Sequence, residues 1–264
     1  MSRIRTAQLI KMKQSGEKIT MLTAYDASFA RLFHDCGLDI MLIGDSLGNV
    51  LQGQDSTLSV TTDHIAYHTE AVRAGAPEAF VIADMPFMTY PDPDTACFEA
   101  AELMRSGANM VKLEGGARLA ETVRKLTENG IPVCAHLGLL PQSVNVVGGY
   151  KVQGKTKEQA DALIEDAIAL QEAGAQLMVV ECIPAELGKR FSETLDIPVI
   201  GIGAGPHTDG QVLVMHDMLG LNGNYLPKFT KNFLTGHDSL AAAVESYIQA
   251  VREGTFPAAE HSFS

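Results

Sequence analysis

The sequence predicts a single-domain (β/α)8 barrel spanning residues 1–264, and three observations carry that reading. Short runs rich in Val, Ile, Leu and Met alternate with amphipathic stretches, as parallel strands alternate with crossover helices. The runs are apolar at nearly every position, so both faces of the sheet must be covered. Their number approaches eight, which favours closure into a barrel over an open, flavodoxin-like sheet.

The strands are expected at 20–24 (TMLTA), 40–44 (IMLIG), 80–83 (FVIA), 110–113 (MVKL), 132–136 (PVCAH), 177–181 (LMVVE) and 198–203 (PVIGIG). An eighth, near 212–216 (VLVMH), follows the seventh so closely that a crossover helix barely fits. Helices are expected in 28–37, 64–76, 94–108, 117–130 and 157–175, several of them ending at glycine, and a short leading helix in 6–14. The connection over 138–156 is long for this architecture, and Gly148, Gly149 and Gly154 suit a hinged lid.

With a formal net charge of −12, the chain is a poor partner for nucleic acid or an anionic membrane, which require a basic footprint. A small-molecule substrate is expected instead. The four cysteines, Cys36, Cys97, Cys134 and Cys182, form no C-x-x-C pair and lie in apolar or helical stretches. They read as buried, reduced thiols of a cytoplasmic protein. The basic amino end lacks the long apolar run of a secretory signal, and no segment is long enough to span a bilayer.

Directly after several strands stands a residue that a core would not select: Asp45, Asp84, Glu114, His136 and Glu181. All fall at the carboxyl ends of strands, where barrels of this type place their active sites. A single acid there could be the N-cap of the next helix, but five ionisable groups at one end call for a common cause. Asp45, Asp84 and Glu114 offer oxygen donors without a Cys or His cluster, which suits Mg²⁺. Since Mg²⁺ takes only one or two direct carboxylates, Glu114 is expected to act through water. Lys112, two residues before Glu114, faces the same side and places an ammonium beside the metal, or forms an ion pair with Glu114. His136 can hydrogen-bond a ligand oxygen or satisfy a backbone group. Glu181, after two valines, should be partly desolvated, as a general base requires. The glycines of GIGAG (201–205) suit phosphate binding or close backbone packing.

Across nearly its whole length the chain resembles the ketopantoate hydroxymethyltransferase family. The resemblance rests on GDSLG, DMPF, NMVKLEGG, HLGL-x-PQS, GGYKVQG, PVIGIGAG, DGQ-x-LV and the closing P-x-x-EHSF. It implies a barrel of the phosphoenolpyruvate-binding superfamily, Mg²⁺ dependence, and 5,10-methylenetetrahydrofolate as one-carbon donor to 3-methyl-2-oxobutanoate, giving 2-dehydropantoate on the way to pantothenate. By motif match it implies Asp45, Asp84 and Glu114 as metal-site acids. Asp45, Ser46, Asp84 and Lys112 would contact the oxo acid, with His136 beside them, and Glu181 would accept the proton. A homo-oligomer, often a decamer, is implied as well. Asn49 and Leu140 depart from the usual pattern and bear on loop packing.

The chemistry fits these residues, because a divalent cation chelating the oxo acid stabilises the enolate that forms when a base takes the C3 proton. Two rivals remain open at this level. One is a Mg²⁺-dependent oxo-acid lyase on the same barrel, which a catalytic thiol would favour; the other is a non-catalytic metabolite-binding barrel.

Overall fold

The computed structural model describes residues 4–149, 151–222 and 226–264, so Met1, Ser2 and Arg3 of the basic amino end and Tyr150 of GGYKVQG lie outside the described residues. Eight parallel strands close in chain order: β1 (Ile19–Thr23), β2 (Ile40–Ile43), β3 (Phe80–Asp84), β4 (Met110–Glu114), β5 (Val133–Gly138), β6 (Leu177–Glu181), β7 (Val199–Ile202) and β8 (Gly210–Leu213). β8 pairs back onto β1, with Met21 opposite Val212. The barrel predicted from the alternation is therefore the observed fold.

Helices surround it: α1 (Thr6–Ser15), α2 (Ala27–Asp35), α3 (Leu47–Val50), α4 (Thr62–Gly75), α5 (Pro93–Arg105), α6 (Ala120–Glu128), α7 (Val144–Val147), α8 (Lys157–Glu172), α9 (Ala185–Thr194), α10 (Met215–Met218) and α11 (Leu240–Arg252). Five of them begin where a side chain satisfies their first free N–H groups. Asp26, Thr61, Asp92, Thr156 and Ser239 each accept hydrogen bonds from the first turn of α2, α4, α5, α8 and α11. The capping acids are thus Asp26 and Asp92, and neither belongs to the group singled out at the strand ends.

The strand alternation sorts the core into two layers. Ile19 and Met21, Ile40 and Leu42, Phe80 and Ile82, Met110, Cys134, Leu177 and Val179, Ile200 and Val212 form one cluster inside the barrel, joined by Leu9 and Met12 of α1. Leu22, Met41, Ile43, Val81, Val111 and their outward neighbours pack against the helices in the other.

Three elements differ from the sequence expectation. β8 begins at Gly210, earlier than 212, and a short helix-free connection over 203–209 replaces a crossover helix between β7 and β8. Helices α9 and α11 carry apolar faces that the reading passed over. Tyr247 of α11 sets its hydroxyl 2.9 Å from the Met21 carbonyl and 3.0 Å from that of Gln211, sealing the β1–β8 seam. Of the cysteines, all are free, but Cys36 and Cys97 are half-buried and only Cys134 and Cys182 are buried.

The GIGAG turn is shaped by packing. A Cβ added to Gly205 would lie 2.5 Å from Ala185 Cβ, and one added to Gly188 of α9 would lie 2.1 Å from the Ala204 carbonyl oxygen. Backbone therefore rests on backbone where α9 meets the β7–β8 turn. We expect Gly188→Ala to lower the unfolding free energy by about 1–3 kcal/mol, because overpacking against backbone outweighs the better helix propensity of Ala. Urea denaturation measures it; a variant as stable as the wild type would show that this contact can relax freely.

Candidate active site

Along β3 to β6 the inward-facing row is apolar until the carboxyl end, where the same alternation turns polar. Ile82 is followed inward by Asp84, Met110 by Lys112 and Glu114, Cys134 by His136, and Val179 by Glu181. Register places them side by side: Asp84 opposite Lys112, and Glu114 opposite His136. Lys112 Nζ hydrogen-bonds Asp84 Oδ1 and lies 3.7 Å from Glu114 Oε1. His136 reaches both ways, with Nδ1 3.3 Å from Glu114 Oε1 and Nε2 3.3 Å from Glu181 Oε2. Those two contacts are ion-pair approaches, since neither ring nitrogen nor Glu114 Oε1 completes a hydrogen bond.

Asp45 joins from the turn after β2. Its backbone N–H donates to Asp84 Oδ2 at 3.0 Å, and a Cβ on the preceding Gly44 would come within 2.9 Å of Ser46 Oγ and 3.5 Å of Asp84 Oδ2. A side chain at Gly44 would therefore crowd the Ser46 hydroxyl. Ser46 Oγ is 2.8 Å from the Tyr25 hydroxyl.

Gln142, in the connection after β5, ties the site together. Its side-chain amide donates to Asp45 Oδ2 at 2.9 Å and to the Met85 carbonyl at 3.0 Å, while its amide oxygen accepts from the Tyr90 hydroxyl. Its backbone N–H donates to Glu114 Oε2 at 3.1 Å. The connection is therefore pinned at Gln142, and again at Gln153, whose N–H donates to the Cys182 carbonyl at 2.9 Å. Between these points Val146 is exposed, while Val152 lines the cavity at the barrel mouth.

Asp45, Asp84, Lys112, Glu114 and His136 are each at most 4% exposed, so four buried or nearly buried carboxylates, Glu181 included, face two cationic groups. Burial, with Asp84 and Glu114 beside it, pushes the Asp45 carboxyl up to about 8. Burial likewise raises Asp84, against the pull of Lys112. For Glu114, burial is outweighed by His136 and Lys112, and its pKa falls. Burial and Lys112 both oppose a charged His136, but Glu114 and Glu181 prevail and lift it to about 9.

This donor set fits Mg²⁺. A carboxyl pushed this far from its ordinary range marks a place where the protein supplies no counter-ion for an ionised carboxylate, and hard oxygens are what that cation prefers. Among the described residues no three His, Cys, Asp or Glu side chains close into a ready-made metal cage. A site built from one or two carboxylates and water needs none.

Asp45, Ser46 and Glu181 open into a cavity of about 740 Å³ at the barrel mouth, and Asn49, the departure from the family pattern, lines it too. Asp84, Lys112, Glu114 and His136 form the layer beneath. The sequence reading brought these residues to one end but missed Gln142, Tyr90 and Tyr25. PQS was a visible motif, yet nothing in its composition shows that a glutamine will reach back across the barrel.

Together the closed parallel barrel and the buried acids at its carboxyl-terminal mouth define a (β/α)8 barrel protein, and a fold of this kind is seen in the PEP mutase/isocitrate lyase superfamily. 2,3-Dimethylmalate lyase of that superfamily superposes with a TM-score of 0.59 at 19% identity, over 82% of each chain. Phosphonopyruvate hydrolase in complex with oxalate and Mg²⁺ superposes with a TM-score of 0.64 at 12% identity, over 99% of this chain and 93% of that one. A family model described as ketopantoate hydroxymethyltransferase matches residues 3–259, and the chain belongs to that family. It is 64% identical over 257 residues to the 3-methyl-2-oxobutanoate hydroxymethyltransferase of Idiomarina loihiensis, covering 97% of both chains. It is 61% identical over 263 residues to that of Pseudoalteromonas translucida, covering 100% of both.

The electrostatics predict a titration. In metal-free protein His136 should titrate near 9, and Glu181→Gln, which removes one of its two carboxylates, should bring it down. Because the folded pKa lies above the unfolded one of about 6.5, this group's stabilisation, up to about 3 kcal/mol, is complete below that pH and is lost as pH rises through about 9. NMR of the ring resonances reads the pKa directly, and an ordinary value in the wild type would contradict the pairing.

Proposed function

We propose that this chain transfers a hydroxymethyl group from 5,10-methylenetetrahydrofolate to 3-methyl-2-oxobutanoate, giving 2-dehydropantoate, within one barrel unit. The observation that carries the proposal is that Asp45 and Glu181 face one cavity, from opposite sides of the buried acids, in a chain of the ketopantoate hydroxymethyltransferase family. Asp45 and Asp84 would hold Mg²⁺, with Glu114 acting through water. The chemistry Mg²⁺ supplies when bound there is positive charge against the oxyanion that develops as the C3 proton leaves.

The protein's own groups account for the rest. Glu181 is 14% exposed in its side chain, near enough to the cavity to meet substrate and sufficiently enclosed to act as a base. His136, 3.3 Å from Glu181 Oε2, orients that side chain to accept the C3 proton. Lys112 fixes Asp84 and adds positive charge beneath the oxo acid, and Ser46, positioned by Tyr25, offers a hydroxyl at its edge. We also infer a homo-oligomer, a decamer by family resemblance, working in the cytoplasm on small molecules.

The lyase alternative would draw on a thiol. Cys182 lines the cavity, but burial raises its pKa, and the adjoining Glu181 raises it further, so it remains a protonated thiol.

Proton abstraction can be separated from one-carbon transfer by omitting folate. With Mg²⁺ in D₂O, the wild type should exchange the C3 hydrogen of 3-methyl-2-oxobutanoate. Glu181→Gln should slow both exchange and transfer by roughly 10²- to 10⁴-fold. A variant that exchanges at the wild-type rate and fails only in transfer would remove Glu181 from the role of base.

A further inference from the structure

The cavity is several times larger than a small oxo acid needs, and falls in the range of ~300–1,000 Å³ that encloses drug-sized ligands. Its inner end is occupied by Asp45, Ser46 and Glu181. Its outer end has a different character, lined by Asp217 of α10, Asn222, Lys228, Phe229 and Phe263. Asp217 of α10 lines this end and is 7% exposed. One of its carboxylate oxygens accepts from the Asn222 side chain, and among the described residues no hydrogen bond reaches the other.

Phe229 supplies a half-buried aromatic wall, 6.4 Å from Phe263 in an edge-to-face pair. The carboxyl-terminal segment is held over the mouth because the Ala185 N–H donates to the Phe263 carbonyl at 2.9 Å. Lys228, the sole cationic side chain lining the cavity among the described residues, donates to the Ser262 carbonyl at 2.7 Å and sits 5.0 Å from the Phe263 ring centre.

We propose that this outer half seats the reduced folate, with Asp217 pairing with the pterin ring edge, Phe229 covering a ring face and Lys228 meeting the carboxylates of the glutamyl tail. The inference rests on the activity proposed above and assigns the second substrate within it. The chemistry is complementary at each point. The pterin presents its ring N–H and exocyclic amine as two parallel donors, which a carboxylate accepts as it accepts an arginine fork. The flat ring needs an aromatic or apolar face, and the anionic tail needs a cation in a cavity otherwise rich in acids. A folate so placed lies across the cavity from the acids that hold the oxo acid, so the carried one-carbon unit can face the C3 carbon.

The test uses the full-length enzyme with Mg²⁺ and two readouts: the KM for 5,10-methylenetetrahydrofolate, and the folate-free C3 deuterium exchange of 3-methyl-2-oxobutanoate. Asp217→Asn keeps the shape but cannot accept both donors, and should raise the folate KM roughly 10- to 100-fold. Phe229→Ala should raise it as well. Exchange should hold at the wild-type rate in both, which also reports that the barrel is folded. Lys228→Ala should weaken binding of tetrahydrofolate while leaving tetrahydropterin, which lacks the tail, unaffected. An unchanged folate KM in Asp217→Asn and Phe229→Ala overturns the assignment, as does loss of exchange together with transfer. If the wild type exchanges deuterium but does not turn over with methylenetetrahydrofolate, the activity reading itself fails and this inference falls with it.

Discussion

The structure depends on one imbalance: four carboxylates gathered at the mouth of a barrel against one ammonium and one imidazole. Removing a carboxylate from water is costly unless it is paired or neutralised, and here the pairing is incomplete. Lys112 is committed to Asp84 and approaches Glu114, and His136 is shared between Glu114 and Glu181. Asp45 is left with an amide, and its carboxyl is pushed up to about 8. One of the four carboxyls thus lacks a cationic partner and is held in its neutral form, and a divalent cation is the group that would let it ionise.

The fold makes that arrangement possible. Closing eight parallel strands points every second side chain at the axis, and the lower positions are filled by Ile, Met, Leu and Val to form a rigid floor. The same geometry carried further along β3 to β6 projects Asp84, Lys112, Glu114, His136 and Glu181 toward the one mouth. The connecting segments then finish the site. The Asp45 N–H, bonded to Asp84, holds the turn after β2 against the site, and Gln142 reaches back from the β5 connection to bind three elements at once.

Much of this was legible in the sequence because it follows local periodicity. The seven clear strands, the inward pairing of Lys112 with Glu114, and the gathering of acids at one end all come from alternation and from polar residues that end apolar runs. The eighth strand was harder, since Gly210 and Gln211 dilute its apolar pattern and its helix is replaced by a short helix-free connection. Contacts made by loops were not legible. Gln142 lies 97 positions from the Asp45 it binds, and Phe263 comes to the cavity mouth from the far end of the chain. Such contacts are set by the closed barrel and leave no periodic trace.

Counting the protons displaced when Mg²⁺ binds tests the central claim most directly. Calorimetric titration of the metal-free protein near pH 7, in buffers of differing ionisation enthalpy, gives that number. Because Asp45 is protonated at this pH and must ionise to bind the cation, the wild type should release about one proton per Mg²⁺, and Asp45→Asn should release none. Tight Mg²⁺ binding by the wild type with no proton release would contradict the account.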